Sequence, residues 1–259
     1  MGIFDGKVAI ITGGGKEKYI GYGVATAYAK EGANLVVTGR NMAKLEGAKE
    51  ELERLYGIKV LPIQADVNPD PKSEESVKNA VKKVIETFGR IDILVNVAQA
   101  SVSGVPLVEH TREQFDLGIY SGLYGAFFYM RECYPYLKES QGSVINFASG
   151  AGLFGNAGQC SYAAAKEGIR GLSRVAASEW GKDNINVNVV CPLAMTARLE
   201  RFRDEFPEMY EKNVKAIPMG YFGDPEKHIG RVCVQLASPD FKYMSGETLT
   251  IEGGMGLRP

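Results

Sequence analysis

Tyr162 and Lys166 stand four residues apart in the stretch Cys160 to Gly168, CSYAAAKEG, with only alanines between them. A helix through this stretch puts both side chains on one face. An ammonium beside a phenol favours the phenolate, and so makes a group that ordinarily titrates near ~10 a better proton-transfer group at neutral pH. Bringing the phenol down to ~7 takes roughly 4 kcal/mol of differential stabilisation. A solvent-exposed pair delivers less than that, so the chemistry also needs a desolvated cleft. The same spacing recurs in Tyr134-Pro-Tyr-Leu-Lys138, which carries a proline inside the pair and runs into Ser140-Gln141-Gly142, a helix-ending pattern. Spacing alone does not choose between the two pairs.

The elements that must position such a pair are legible as an alternation. Short β-branched runs at 7–12, 34–38, 59–65, 91–96, 143–148, 185–190 and 247–252 predict seven strands. Longer amphipathic stretches between them predict helices, one of them opening on a Thr111/Gln114 capping box. Strands that are apolar on both faces and joined by helices require right-handed parallel crossovers. The predicted fold is therefore α/β: a single doubly wound (Rossmann) domain over residues 1–259, with a seven-stranded parallel sheet flanked by helices. The longest strand-free stretch follows the sixth strand and carries Phe202, Phe206, Met209 and Tyr210 among charges. Core packing is one reading of these residues; a substrate-covering segment over about 193–222 is the other.

After the first strand comes TGGGKEKYIGYGVA, whose glycines at 13, 14, 15, 21 and 23 lead straight into a helix. Glycine permits close backbone approach, and the amino end of a helix offers free N–H groups to a pyrophosphate. In this strand-loop-helix context the loop reads as a dinucleotide site. The second strand ends in Gly39-Arg40, where a carboxylate would select NAD; a guanidinium instead suits the 2′-phosphate of NADP, with Lys16 and Lys18 able to add charge.

Thr12-Gly13 with Gly21 and Gly23, Asp66-Val67, Asn96-Val97-Ala98, Ser149, Tyr162-x-x-x-Lys166 and the closing GETLTIEGG together resemble the short-chain dehydrogenase/reductase family over nearly the whole chain. Ser149 lies 13 residues before Tyr162, the separation that family uses, and follows a strand ending INFAS, whereas the serine at the same distance before Tyr134, Ser121, falls within a predicted helix. The resemblance therefore selects Ser149, Tyr162 and Lys166 as the catalytic set. It implies that Tyr162 exchanges the proton, Ser149 positions the substrate oxygen and Lys166 also binds the nicotinamide ribose, the positive ring adding to the effect on the phenol. The cofactor site it implies comprises Gly13, Gly15, Lys16, Ile20, Gly21, Arg40, Asp66, Val67, Asn96, Ala98, Tyr162, Lys166, Pro192 and Thr196. Substrate contacts are expected at Gln99, Ser149, Gly150, Phe154 and Tyr162.

Three departures stand out. The glycine loop is longer than the main family pattern, as in the enoyl-thioester reductase branch, but no tyrosine here has a lysine at that branch's wider spacing, which disfavours enoyl reduction. Gly122 occupies the place of the family's relay asparagine, so the proton path must differ, through water or Ser121; close packing, possible between subunits, would explain Gly118, Gly122 and Gly125. In PLAMT the threonine, Thr196, falls one position early.

The stretches YIGYG, VNVAQAS, CPLAMTA and GGMGLRP are similar to an NADP-dependent branch of the family that acts on the 12α-hydroxyl of bile acids. That likeness implies a bile-acid or steroid substrate and a homotetramer. A 3-oxoacyl-thioester or other carbonyl reductase, and a non-catalytic NADP sensor, remain alternatives. A formal net charge of -1 with interspersed signs gives no footprint for nucleic acid. Cys133, Cys160, Cys191 and Cys233 are widely spaced and the only histidines are His110 and His228, so reduced thiols and no metal are expected. No apolar leader precedes the first strand, and a cytoplasmic enzyme without membrane contact is expected.

Overall fold

The computed structural model describes residues 2–15, 18–70 and 72–256. All seven expected strands form: β1 (Val8–Thr12), β2 (Asn34–Gly39), β3 (Val60–Gln64), β4 (Ile93–Asn96), β5 (Ser143–Phe147), β6 (Asn186–Pro192) and β7 (Thr248–Ile251). They make one sheet in the order β3-β2-β1-β4-β5-β6-β7, with every pairing parallel. β1, β4 and β5 are buried end to end, which is why they read as continuous apolar runs. Side-chain alternation along β1 divides the core: Ala9 and Ile11 join helices α1 (Ile20–Lys30), α2 (Met42–Tyr56) and α10 (Arg231–Ala237). Val8 and Ile10 face the other layer, α3 (Lys72–Phe88), α5 (Gly125–Ser140) and α7 (Cys160–Trp180).

The strand order reverses between β1 and β4, and a crevice opens at their carboxyl ends, where ligands bind in such sheets. Register brings Thr12 beside Asn96 and Asn96 beside Asn146, so three polar residues meet there on adjacent strands. Thr12 Oγ1 accepts from the backbone N–H groups of Val97 and Ala98 at 2.9 and 3.0 Å and fixes the loop leaving β4. Asn96 Nδ2 donates to Asn146 Oδ1 at 2.8 Å, and Asn146 Nδ2 donates to Ser173 Oγ at 2.8 Å. This buried chain pins α7 to the sheet, and a polar chain of this kind fixes one registration where apolar contacts alone would tolerate several.

The capping box forms at α4 (Arg112–Gly118), with Thr111 and Gln114 exchanging hydrogen bonds. A π-helical turn, Ile119–Tyr124, joins α4 to α5, and the short helix α6 (Gly150–Leu153) follows β5. The strand-free stretch after β6 folds as two short helices, α8 (Ala197–Glu205) and α9 (Pro207–Lys215), followed by a π-helical turn at Pro225–Gly230. That turn packs against α1 so closely that a Cβ on Gly23 would lie 2.5 Å from the carbonyl carbon of Pro225. All four cysteines are free. Among the described residues no helix is long and apolar enough to cross a membrane.

Candidate active site

A cavity of about 450 Å³ occupies the crevice, lined from β1 and its loop by Thr12, Gly13 and Gly15, from β2 by Thr38, Gly39 and Arg40, and from β4 by Asn96, Ala98 and Gln99. The loop owes its shape to its glycines. Gly13 has φ 75°, a Cβ on Gly15 would come 2.4 Å from Leu45 Cδ2, and one on Gly21 would come 2.4 Å from the Gly13 carbonyl oxygen. The N-cap residue of α1, Tyr19, makes no side-chain cap hydrogen bond, which leaves the backbone N–H groups of that end suited to an anion. Asn96 Oδ1 and Gln99 Oε1 are buried there and make no hydrogen bond with any described residue. An orphaned pair of acceptors, an uncapped helix start and a backbone cradle with no room for side chains fit a dinucleotide.

Of the expected cofactor residues, Gly13, Gly15, Arg40, Asp66, Val67, Asn96 and Ala98 line this cavity. Ile20 and Gly21 begin α1, while Tyr162, Lys166 and Pro192 lie outside the lining and Thr196 lines a second cavity. Lys16 falls outside the described residues. Lys18 does not point its charge at the cavity; it pairs with Glu200 of α8 at 3.1 Å. The second cation in the lining is instead Lys44, in the first turn of α2, whose N–H is capped by Asn41 at 3.1 Å. Its position four residues after Arg40, one helical turn on, was the available sequence signal.

At the end of β5, Ser149 has an extended backbone and caps α6, its Oγ accepting from the Ala151 N–H at 3.2 Å. Its hydroxyl also hydrogen-bonds the Tyr162 phenol. Lys166 is 3% exposed; its Nζ donates to the Phe147 carbonyl at 2.8 Å and lies 5.5 Å from the centroid of the Tyr162 ring. The one-face geometry expected of the pair is present, but its electrostatic result differs. Burial pushes the Tyr162 phenol up, and the hydrogen bond from Ser149 only partly offsets this. Burial also pulls Lys166 down to about 8. The ammonium sits over the ring and is committed to a carbonyl, so desolvation, which disfavours charge on both groups, outweighs their attraction. The other pair is engaged elsewhere: the Tyr134 hydroxyl donates to Asp183 at 2.7 Å and Lys138 pairs with the same carboxylate at 2.9 Å.

Gly118, at the end of α4, and Gly122, in the π-helical turn, are explained within the chain. A Cβ on Gly118 would lie 2.7 Å from Ser161 Cβ, and one on Gly122 would lie 2.0 Å from Gln99 Oε1. Gln99 thus lays its carboxamide on the bare backbone of Gly122, its Nε2 donating to the carbonyls of Gly118 and Ala100 at 2.9 and 3.1 Å. Only Gly125 has ordinary room. Ser121 is committed to the backbone: its Oγ accepts from the Ala100 N–H at 3.0 Å and lies 2.6 Å from the Leu117 carbonyl oxygen. Of the other substrate candidates, Gly150 is buried against Glu252 and Phe154 is exposed.

A second cavity, about 520 Å³, lies under α8 and α9 and is lined mainly by apolar side chains, among them Leu193, Leu199, Phe202, Phe222 and Met255. Phe202 therefore lines a cavity, whereas Phe206 and Met209 are exposed and Tyr210 packs at a tilt against Phe222 with ring centroids 5.5 Å apart.

Known proteins resemble the chain over nearly its whole length. Residues 13–256 match the family model described as Enoyl-(Acyl carrier protein) reductase. The chain is 78% identical over 259 residues, all of both chains, to a 12alpha-hydroxysteroid dehydrogenase of Clostridium sp. (strain ATCC 29733 / VPI C48-50). It is 34% identical over 253 residues to a 3-oxoacyl-[acyl-carrier-protein] reductase of Thermotoga maritima, covering 97% of this chain and 98% of the relative. The solved structure of a levodione reductase superposes with a TM-score of 0.89 at 30% identity, covering 98% of each chain.

The contact between Gln99 and Gly122 is open to a direct check. Gly122→Ala forces the carboxamide off its two carbonyls, a loss of about 1–3 kcal/mol against a helix-propensity gain of about 1 kcal/mol. In chemical denaturation, adding Gln99→Ala to Gly122→Ala is expected to abolish the clash, giving a coupling energy above about 1 kcal/mol. Additive effects of the two substitutions would mean that the side chain does not rest on that glycine.

Proposed function

The chain belongs to the short-chain dehydrogenase/reductase family of oxidoreductases, and from that premise we propose that it moves hydride between NADP(H) and the 12α-hydroxyl or 12-oxo group of bile acids. The observation that carries the substrate is the full-length 78% identity to the Clostridium 12alpha-hydroxysteroid dehydrogenase. The family model is named for enoyl reduction, but Tyr162 and Lys166 have three intervening residues, not the six of that branch.

In this reading Gly13, Gly15 and the start of α1 at Ile20 and Gly21 hold the pyrophosphate, and Arg40 with Lys44 holds the 2′-phosphate. Asp66, Val67, Asn96 and Ala98 line the remainder, with Pro192 and Thr196 toward the nicotinamide. NADP bound there supplies the hydride acceptor or donor and, when oxidised, a positive ring. The chain's own work is proton transfer. Tyr162 takes the hydroxyl proton of the substrate during oxidation and returns it during reduction; Ser149, already hydrogen-bonded to Tyr162, orients the same substrate oxygen. Lys166, brought to about 8 by burial, can both give and take a proton near neutrality and adds positive charge beside the phenol when protonated. Residues 193–222, which carry α8 and α9, cover the substrate, and Phe202 faces its apolar body.

The proposed assembly is a homotetramer acting in the cytoplasm. Tyr124 and Phe127 on the helical stretch through α5 and Val175 on α7 are exposed large hydrophobics, and a shared subunit face supplies a reason for them. Four unpaired thiols suit a reducing compartment.

Purified protein given cholate is expected to reduce NADP, read as absorbance at 340 nm, faster than 3-oxoacyl-thioesters are reduced in the reverse assay. Absence of cholate turnover with good thioester turnover would favour the second reading, for which the Thermotoga relative speaks. Binding of NADP without turnover of either would favour a sensor. Tyr162→Phe is expected to lower kcat by about 10²–10⁴-fold while changing the NADP dissociation constant by less than about twofold; full activity removes Tyr162 from the proton step. Arg40→Ala is expected to raise the KM for NADP by about 10–100-fold, the worth of a charge-assisted hydrogen bond, and to leave the poorer NAD reaction nearly unchanged. Equal effects on both cofactors would dissociate Arg40 from the 2′-phosphate. In sedimentation, Phe127→Glu is expected to yield species smaller than the wild-type tetramer; an unchanged mass would move the interface elsewhere.

A further inference from the structure

Among the described residues the guanidinium of Arg198 has no hydrogen-bond or ion-pair partner. It stands in the first turn of α8, behind the Thr196 cap, where the helix dipole disfavours a cation. The acidic residue of that turn, Glu200, pairs with Lys18. No carboxylate among the described residues forms an ion pair with Arg198, and the side chain is exposed. Yet Arg198 lines the second cavity beside Leu193, Leu199, Phe202, Phe222 and Met255, a single unpaired cation against a mostly apolar wall. Its charge favours the Tyr162 phenolate, and Leu193 of the same cavity follows β6 as Ser149 follows the neighbouring strand β5, so the cavity shares the carboxyl end of the sheet with the candidate site. A cavity with these walls takes a molecule with an apolar body and an anionic end.

We propose that Arg198 is a specificity-determining residue that binds the carboxylate on the tail of an otherwise apolar substrate, holding the body against the α8 wall while the hydroxyl faces Tyr162. The inference rests on the bile-acid reading for its probe, since cholate carries one carboxylate remote from its ring hydroxyls. Neutral steroids and thioesters of the same bulk lack the group that Arg198 pairs. The rival role for the same cation is a contact to a cofactor phosphate.

The test is calorimetric titration of NADPH-loaded protein, in which cholate cannot react, with cholate and with cholate methyl ester. Wild type is expected to bind cholate about two- to fivefold more tightly than the ester, the worth of an exposed arginine-carboxylate pair. Arg198→Ala is expected to erase that preference, weakening cholate alone and leaving the ester and NADPH within about twofold; Arg198→Lys restores part of it. Equal affinities in wild type, equal weakening of acid and ester, a loss confined to NADPH, or no binding of either compound would each overturn the proposal. Turnover with cholate is measured in parallel. If cholate binds with the Arg198-dependent preference but is not oxidised, the steroid reaction falls while the anchor stands; if it is oxidised without that preference, the reverse holds.

Discussion

A lysine taken out of water is the constraint on which the candidate site depends. Lys166 is 3% exposed, has one carbonyl to donate to and stands over a phenol ring. Bringing its pKa from 10.5 to about 8 corresponds to roughly 3 kcal/mol of preference for the neutral amine. The folded-state value is the depressed one, so this cost burdens the fold below about pH 8 and fades as pH rises toward the ordinary lysine value. A chain that carries such a burden at the end of a well-packed strand gains an amine and a phenol whose charges respond strongly to what is placed between and beside them. The Coulombic effect of a new positive charge is larger in that medium than in water. The same desolvation that raises Tyr162 in the chain by itself therefore amplifies the influence of a cationic ring bound in the crevice.

The sheet makes that arrangement affordable by over-determining where α7 lies. Asn96, Asn146 and Ser173 form a continuous buried hydrogen-bonded chain across β4, β5 and α7. Thr12 ties β1 to the backbone after β4. The crevice and the Tyr162–Lys166 helix are thus set by one polar network running perpendicular to the strands, and neither can shift without leaving a buried amide unpaired. The orphaned Asn96 Oδ1 at the crevice end of that network is the point where it opens to a ligand.

What the sequence disclosed was what periodicity and local chemistry encode. Seven apolar runs became seven strands, the central ones β1, β4 and β5 because they are buried on both faces, and the Thr111 box formed because it is a local device. The glycine-rich loop was legible because Gly13 takes a positive φ and Gly21 lies against the Gly13 carbonyl, demands met within the loop itself. What escaped was decided by partners distant in the chain. Lys18 looked available to a phosphate until Glu200, 182 residues on, took its charge. The glycine at 122 looked like a missing side chain, and proved to be the floor for Gln99. The direction of the Tyr162 shift depends on how much water the fold removes, which four-residue spacing does not state. Lys44 reaches the cavity because α2 packs with its first turn toward the end of β2, an arrangement that the run ending at Gly39-Arg40 does not encode.

The displaced Lys18 carries a further consequence for how the two cavities are joined. It holds a left-handed backbone, φ 57°, a conformation that costs a non-glycine residue roughly 1–2 kcal/mol. Its carbonyl accepts from the Ala197 N–H at 2.9 Å while its ammonium reaches Glu200, so the glycine-rich loop is stitched to the first turn of α8 by backbone and side chain together. Thr196 and Arg198 flank that stitch and line the second cavity. The loop that begins at Gly13 in the first cavity and the helix that walls the second are thus tied at Lys18, and neither can be displaced there without breaking the Ala197 hydrogen bond or the Glu200 ion pair.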